Sequence, residues 1–297
     1  MSGGVTRFCK SWHRWAMVAS VALLAAGCDR AVILNPKGPI ADAERGLLID
    51  AFSVMMVVIV PVIAMAFVFA WRYRASNRRA AYAPTWDYSA KVDAVVWLIP
   101  ALIVIAVGVL VWRSTHKLDP YREIASDKPP LDVEVVAEDW KWLFIYPDQG
   151  IAVVNQLAIP AGRPISLRIT SDTVMNSFYV PALAGQIYAM AGMQTRLQML
   201  ADAPGRFVGR NTQYSGGGFS DQYFEVLALS EGDFNDWVAK AKQSPDKLDV
   251  PTYAKLAEKS RRNPVGYYSG IEPRLFDSII EKYNHEHHAH ATSAPGR

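Results

Sequence analysis

Two long apolar stretches dominate the first half of the chain. Leu47 to Trp71 is predominantly apolar, with Asp50 near its start, and Val92 to Trp112 is a second such stretch with Asp93 at its beginning. Each is long enough to cross a hydrocarbon core of about 30 Å at about 1.5 Å per residue. The pattern predicts a transmembrane hairpin over 47–112. The alternative is that one stretch is a buried core helix.

The loop between these stretches, residues 72–91, is strongly basic. It holds one acid, Asp87, and five basic residues: Arg72, Arg74, Arg78, Arg79 and Lys91. Cytoplasmic loops of membrane proteins carry an excess of lysine and arginine. The loop is therefore predicted to be cytoplasmic, which places both ends of the hairpin outside.

The first residues have the organisation of a processing segment. A charged region with Arg7, Lys10 and Arg14 precedes the apolar stretch Trp15 to Ala26. The sequence Ala25-Ala26-Gly27-Cys28 resembles a bacterial lipobox, although Ala25 stands where a branched residue is usual. We therefore predict a lipoprotein signal peptide over 1–27, lipidation of Cys28 and an outer segment over 28–46. The alternative is an ordinary secretory signal with a chance cysteine.

Beyond a proline-containing connector at 128–130, the apolar period changes to two. The runs 131–135, 164–169 and 195–200 alternate between apolar and polar residues, and 223–229 is another strand candidate. Turn-forming residues at 160–162, 203–205 and 215–218 separate them. Several short strands with such punctuation predict a β-sandwich or barrel over 131–230.

Helical spacing returns after residue 230. Phe234, Trp237, Val238 and Ala241 are spaced for one helix face, and further helices are predicted at 252–260 and 272–283. We assign 231–285 to a helical extension and 286–297 to a disordered, histidine-containing tail. A solvated tail is favoured over a metal site there.

Composition excludes some classes of function. The 297 residues carry a formal net charge of +3, and no basic run is interleaved with aromatic residues, so nucleic acid is not an expected partner. The two cysteines, Cys9 and Cys28, both precede the spans. The outer domain therefore has neither a disulfide nor a thiolate metal ligand.

Local motifs connect this architecture with a known family. Asp139-Trp140-Lys141-Trp142 resembles the tryptophan-rich strand that opens the outer domain of subunit II of haem–copper oxidases. Residues 174–181 resemble that family's strand with the first copper-binding histidine, and 186–195 and 214–220 are similar to segments of the bo-type ubiquinol oxidase. The resemblance implies an α+β membrane protein: a two-helix transmembrane hairpin, a cupredoxin-like β-sandwich and a short helical C-terminal extension.

The ligand positions of the two-copper centre of cytochrome c oxidases are all altered. By resemblance, Asn176 replaces the first histidine, and the loop substitutions are Tyr214 and Gly218 for the cysteines, Gln222 for the second histidine and Glu225 for the methionine. Residues 131–230 contain no histidine and no cysteine, so no shift of register restores the site. The resemblance implies that this chain has no cofactor, and that haems and one copper belong to a partner, subunit I.

Asp93 is the candidate site for proton entry. The resemblance places an acid in a similar setting at the mouth of a proton channel formed mainly by subunit I. The alternative is a helix N-terminal acid favoured by the macrodipole, and the same alternative is preferred for Asp50. For Trp140 and Trp142 we expect core packing.

Three functional hypotheses follow. The first is a non-redox subunit of a proton-pumping quinol oxidase of the bacterial inner membrane, with subunit I, smaller membrane subunits and membrane quinol as partners. The second is a copper-bearing cytochrome c oxidase subunit, which the absent ligands oppose. The third is a free-standing periplasmic lipoprotein.

Overall fold

A computed structural model describes residues 31–80, 83 and 85–292. The predicted signal peptide and Cys28 lie outside these residues. The described chain forms two compact units, one of residues 43–119 and one that combines the segment before residue 43 with the chain from Pro120 onward.

The first unit contains the two apolar helices. Helix α1 spans Pro39–Arg72 and helix α2 spans Ala90–Lys117, so both predicted spans are confirmed as helices that extend beyond their predicted ends. Both are long and apolar enough to cross a membrane. The most apolar part of each helix contains no buried residue within the described structure. This disagrees with the alternative of a buried core helix. Proline at the first helical position explains where α1 begins.

The second unit, called the outer unit from here on, includes the segment before α1. A short 3-10 helix, Val32–Leu34, precedes Lys37, whose N–H donates to the Ala182 carbonyl at 2.8 Å. The Lys37 carbonyl in turn accepts from the N–H of Asp202 at 2.9 Å. A Cβ at Gly38 would collide with the Leu200 carbonyl oxygen, so only glycine allows this close approach.

The outer unit is a two-sheet sandwich, as predicted. Its strands in the described chain are β1 Leu131–Glu138, β2 Lys141–Tyr146, β3 Ile151–Val154, β4 Gln156–Pro160, β5 Ile165–Ser171, β6 Asn176–Val180, β7 Ala184–Ala189, β8 Thr195–Met199, β9 Gly205–Asn211, β10 Tyr223–Leu229 and β11 Gly266–Tyr268. One sheet has the order β11-β3-β2-β1-β5-β8 and the other β4-β10-β9-β6-β7. The pairs β1–β5 and β10–β4 are parallel, and the other strand pairs are antiparallel.

Aromatic residues fill the centre of the sandwich. Trp142 is fully buried and meets Phe178 and Phe224 with ring centroids 5.5 Å apart in both pairs. Phe178 and Phe224 stack at 5.1 Å. Such contacts add about 0.5–1.5 kcal/mol each beyond area burial. Core packing is therefore confirmed for Trp142.

Residues 242–284, called the C-terminal extension from here on, are a shorter segment than the predicted extension of 231–285. They cover the outer face of the six-stranded sheet. Helix α3, Glu231–Ala241, precedes the extension and buries Phe234, Trp237, Val238 and Ala241, the face that the sequence predicts. Within the extension, helix α4 is Val250–Leu256 and helix α5 begins at Leu275. Residues Tyr253, Phe276 and Ile279 pack there on Val136 and Leu143, a second apolar cluster.

The C-terminal part contains the predicted short helices and one additional strand. Strand β11 pairs with β3, and a three-residue strand is too short to leave a periodic signal. Helix α5 ends at Thr292 and therefore continues into the predicted tail of 286–297. No proline or glycine interrupts the chain there to terminate the helix.

Candidate functional site

One end of the sandwich gathers the loops that the sequence singles out. Asn176 begins β6, Asn211 ends β9 and Gln222 directly precedes β10. Because β6, β9 and β10 are neighbours in one sheet, these residues meet at the same end. All three side chains are buried.

Asn211 is the centre of a hydrogen-bonded amide network. Its Nδ2 donates to Asn176 Oδ1 at 2.7 Å, to Gln222 Oε1 at 2.9 Å and to Ser215 Oγ at 3.1 Å. Its Oδ1 accepts from the N–H groups of Ser177 and Gln213, both at 2.9 Å. Asn176 and Gln222, which the resemblance assigns to the two histidine positions, are therefore brought together by Asn211, a residue that no sequence motif indicates.

The outer atoms of the network are also engaged. Asn176 Nδ2 donates to the Val174 carbonyl at 2.8 Å and to Ser171 Oγ at 3.3 Å. Gln222 Nε2 donates to the backbone carbonyl of Glu138 at 3.2 Å, and Ser215 Oγ donates to Gln222 Oε1 at 3.0 Å. Buried polar groups are costly unless they are paired, so this mutual satisfaction stabilises the site.

The other altered ligand positions lie outside the network. Tyr214 is exposed, with its ring near Phe219. Glu225 receives a hydrogen bond from Gln156 Nε2 at 3.0 Å and pairs with Arg206 at 3.0 Å. The network thus joins Asn176 and Gln222, which the resemblance assigns to the two histidine positions, and leaves out Glu225.

Trp140 occupies the space beside Gly218. A Cβ at Gly218 would collide with the Trp140 ring, whose Nε1 donates to the Ser215 carbonyl at 3.1 Å. Arg261 stacks on the ring at 4.9 Å. Trp140 is a partly exposed turn residue with φ of 67° between β1 and β2. The predictions that residues 139–142 form one strand and that Trp140 packs in the core are therefore wrong; a hairpin turn interrupts the alternation.

These residues do not supply the donor set of a two-copper centre. Such a centre needs bridging thiolates and imidazoles, whereas this end of the sandwich presents neutral carboxamides and a hydroxyl already bonded to one another. Among the described residues, no three His, Cys, Asp or Glu side chains group as metal ligands would.

The two acids of the hairpin differ in their position along the helices. Asp93 lies in the first turn of α2, where its N–H donates to the Ser89 carbonyl at 2.9 Å, and its side chain is exposed in the described unit. Asp50 is exposed and lies eleven residues after Pro39, the first residue of α1, so the prediction that it is a helix N-terminal acid is wrong. The position of Asp93 is compatible with a macrodipole acid and with an acid that a partner subunit covers.

The fold and the altered ligand loop define a class of proteins. Two apolar helices followed by a cupredoxin-like sandwich are the architecture of second subunits of haem–copper oxidases. The family model described as "Cytochrome C oxidase subunit II, periplasmic domain" matches residues 148–226, and the one described as "COX Aromatic Rich Motif" matches 242–287. The two candidate spans and this periplasmic-type domain together indicate a membrane-anchored protein.

Relatives identify the family within that class. The cytochrome bo(3) ubiquinol oxidase subunit 2 of Pseudomonas putida is 51% identical over 88% of this chain and 83% of its own length. The ubiquinol oxidase subunit 2 of Acetobacter aceti is 50% identical over 89% and 86%. The quinol oxidase subunit 2 of Bacillus spizizenii is 37% identical over 80% and 74%. This chain belongs to the family of subunit 2 of bo3-type ubiquinol oxidases.

Proposed function

We propose that this chain is the non-redox second subunit of a proton-translocating quinol oxidase. The observation that carries the proposal is the amide network of Asn176, Asn211 and Gln222, at the end of the sandwich where the resemblance puts the family's two-copper centre. Carboxamides bonded to each other neither accept nor relay electrons. The electrons therefore enter the complex elsewhere.

A donor dissolved in the bilayer makes an outer relay unnecessary. Membrane quinol reaches a haem–copper subunit I from within the membrane, whereas a soluble cytochrome needs an outer docking and relay site. The haems and one copper belong to subunit I, with which this chain and smaller membrane subunits assemble. The complex reduces O₂ to water and moves protons outward.

The proposal includes a location and an orientation. Residues 1–27 are removed as a signal peptide, Cys28 carries lipid, and the basic loop 72–91 faces the cytoplasm of a bacterial inner membrane. The sandwich and its extension are then periplasmic. Mass spectrometry of the mature N-terminus tests this, since a Cys28→Ser variant should lose the lipid mass and an unmodified Cys28 would contradict the anchor.

Asp93 is the candidate for proton entry within this role. It begins α2 at the end predicted to be cytoplasmic, and ionisable residues within or at the ends of spanning helices commonly mark proton paths. The acid would supply only the entrance, since this chain offers a single carboxylate in that part of α2.

The decisive experiment is oxygen consumption by the complex purified through this chain. Ubiquinol and reduced cytochrome c are compared as donors, with haem content measured in the same preparation. Quinol-driven uptake without cytochrome c activity is the expected result. Activity with cytochrome c would contradict the missing relay, and a preparation without haem or activity would favour a free-standing lipoprotein.

A further inference from the structure

Glu138 and Lys141 are two buried ionisable residues that lie side by side next to the amide network. Glu138 ends β1 and Lys141 begins β2, and both side chains are 1% exposed. Lys141 Nζ lies 3.9 Å from Glu138 Oε2, which is too long for a hydrogen bond. Ionised groups are almost never buried without close partners.

The two members of the pair are not equally satisfied. Lys141 Nζ donates to the Glu258 carbonyl at 2.7 Å and to Ser260 Oγ at 2.8 Å, both in the C-terminal extension. Neither carboxyl oxygen of Glu138 has a hydrogen-bond partner within the described part of the chain. The lysine therefore holds the extension, while the carboxyl group beside it is left without a donor.

The other charged groups around Glu138 have partners of their own. Asp172 accepts from Tyr253 Oη at 2.7 Å and from Lys282 Nζ at 2.8 Å, and Asp139 pairs with Lys259 at 3.6 Å. Both aspartates repel a charge on Glu138, and Lys282 offsets them only in part. Tyr268 of β11 also lies near enough to Glu138 for the two groups to interact electrostatically. Tyr253, Lys259, Tyr268 and Lys282 belong to the extension, so its docking creates this environment.

Burial sets the protonation state of the carboxyl group. Desolvation, which Lys141 opposes, raises the pKa of Glu138 to about 8, and desolvation lowers the pKa of Lys141. At neutral pH a protonated Glu138 is then compatible with the closed extension. An ionised Glu138 is accommodated better when the extension opens and water reaches it.

We propose that Glu138 is a proton-binding site that controls the docking of the C-terminal extension on the six-stranded sheet. Proton binding to Glu138 favours the closed extension, and proton release loosens it. The control follows from linkage, because a carboxyl group with a raised folded pKa stabilises the closed form fully below its ordinary pKa. That stabilisation is lost as pH rises from the ordinary value of 4.5 to about 8.

Lys141 has the opposite effect on the pH dependence of docking. A lysine whose pKa is lowered on docking destabilises the closed form while it must stay protonated, and that penalty fades as pH rises through its lowered pKa. The range from pH 6 to 8 lies at the upper end of the Glu138 titration, and the Glu138→Gln variant separates the contribution of Glu138 from that of Lys141. Linkage over this window corresponds to about a tenfold or greater change in the closing equilibrium.

The test is hydrogen–deuterium exchange of the full-length chain in detergent. Protection factors of the amides in α4 and in 275–284 are corrected for intrinsic exchange at each pH. In the wild type these should fall by about tenfold or more from pH 6 to pH 8, while β1 and β5 stay unchanged. Glu138→Gln, which imitates the protonated carboxyl group, should keep its protection at both values.

Glu281→Gln is the matched control. Glu281 is an exposed glutamate of the same extension that pairs with Arg274 at 3.1 Å, so its variant should behave like the wild type. Wild-type protection that does not change with pH overturns the proposal without any variant. An equal fall in Glu138→Gln, or a fall that includes β1 and β5, also overturns it.

Discussion

Replacing Asn211 with alanine tests whether the amide network stabilises the outer domain. The change removes the partner of two buried groups, Asn176 Oδ1 and the Ser177 N–H. Gln222 Oε1 keeps its bond from Ser215 Oγ, so its loss is smaller. Each buried polar group left unsatisfied costs about 1–3 kcal/mol, so the two groups predict a loss of about 2–6 kcal/mol in the free energy of unfolding.

The assay is denaturant unfolding of the full-length chain in detergent, followed by tryptophan fluorescence. Trp142, fully buried in the sandwich core, reports this domain. Gln186→Ala is the control, because exposed Gln186 accepts only a surface bond from Thr212 Oγ1 at 2.9 Å and should change stability by less than about 0.5 kcal/mol. If Asn211→Ala were as mild as the control, the network would not be a stabilising replacement for a metal centre.

Three further outcomes are expected. Asp93→Asn should lower quinol-driven oxygen uptake by about twofold or more without loss of assembled haem, whereas Asp50→Asn should not; an unchanged rate with Asp93→Asn would remove Asp93 from the proton path. Gly218→Ala should destabilise the chain by about 1–3 kcal/mol, measured by thermal unfolding, since a Cβ there meets the Trp140 ring. The penalty should shrink in a Trp140→Ala background, and an undiminished penalty would assign it to the loop backbone. Copper added to the purified chain should give no thiolate-to-copper absorption band, and such a band would refute the loss of the centre.

The hairpin and the sandwich could be predicted because their signals are local. Continuous apolar stretches and period-two alternation depend on the sequence alone, and the helices and strands formed where these patterns occur. The alternation fails in the second half of β1, where Val136 is buried although it belongs to the opposite face from Val135. The extension covers that face, and no pattern within β1 reveals a cover contributed by residues more than a hundred positions later.

The candidate site could likewise be predicted only in part. The altered residues at positions 176 and 222 were identified by resemblance, and the structure brings them together. Asn211 was missed because a single polar residue at the end of a strand has no distinctive spacing. Trp140 was misplaced because a short turn with a positive φ is hard to recognise between two tryptophans.

The sequence by itself determined the two apolar helices, the β-rich outer domain and the absence of thiolates and imidazoles over 131–230, because composition and short-range periodicity express these directly. Only the tertiary structure decided which residues surround Asn176 and Gln222 and which ionisable groups are buried. Asn211 meets Asn176 from 35 positions away, and Lys141 meets Ser260 from 119. Such pairs depend on strand order and on the docking of the extension, which are global properties of the chain.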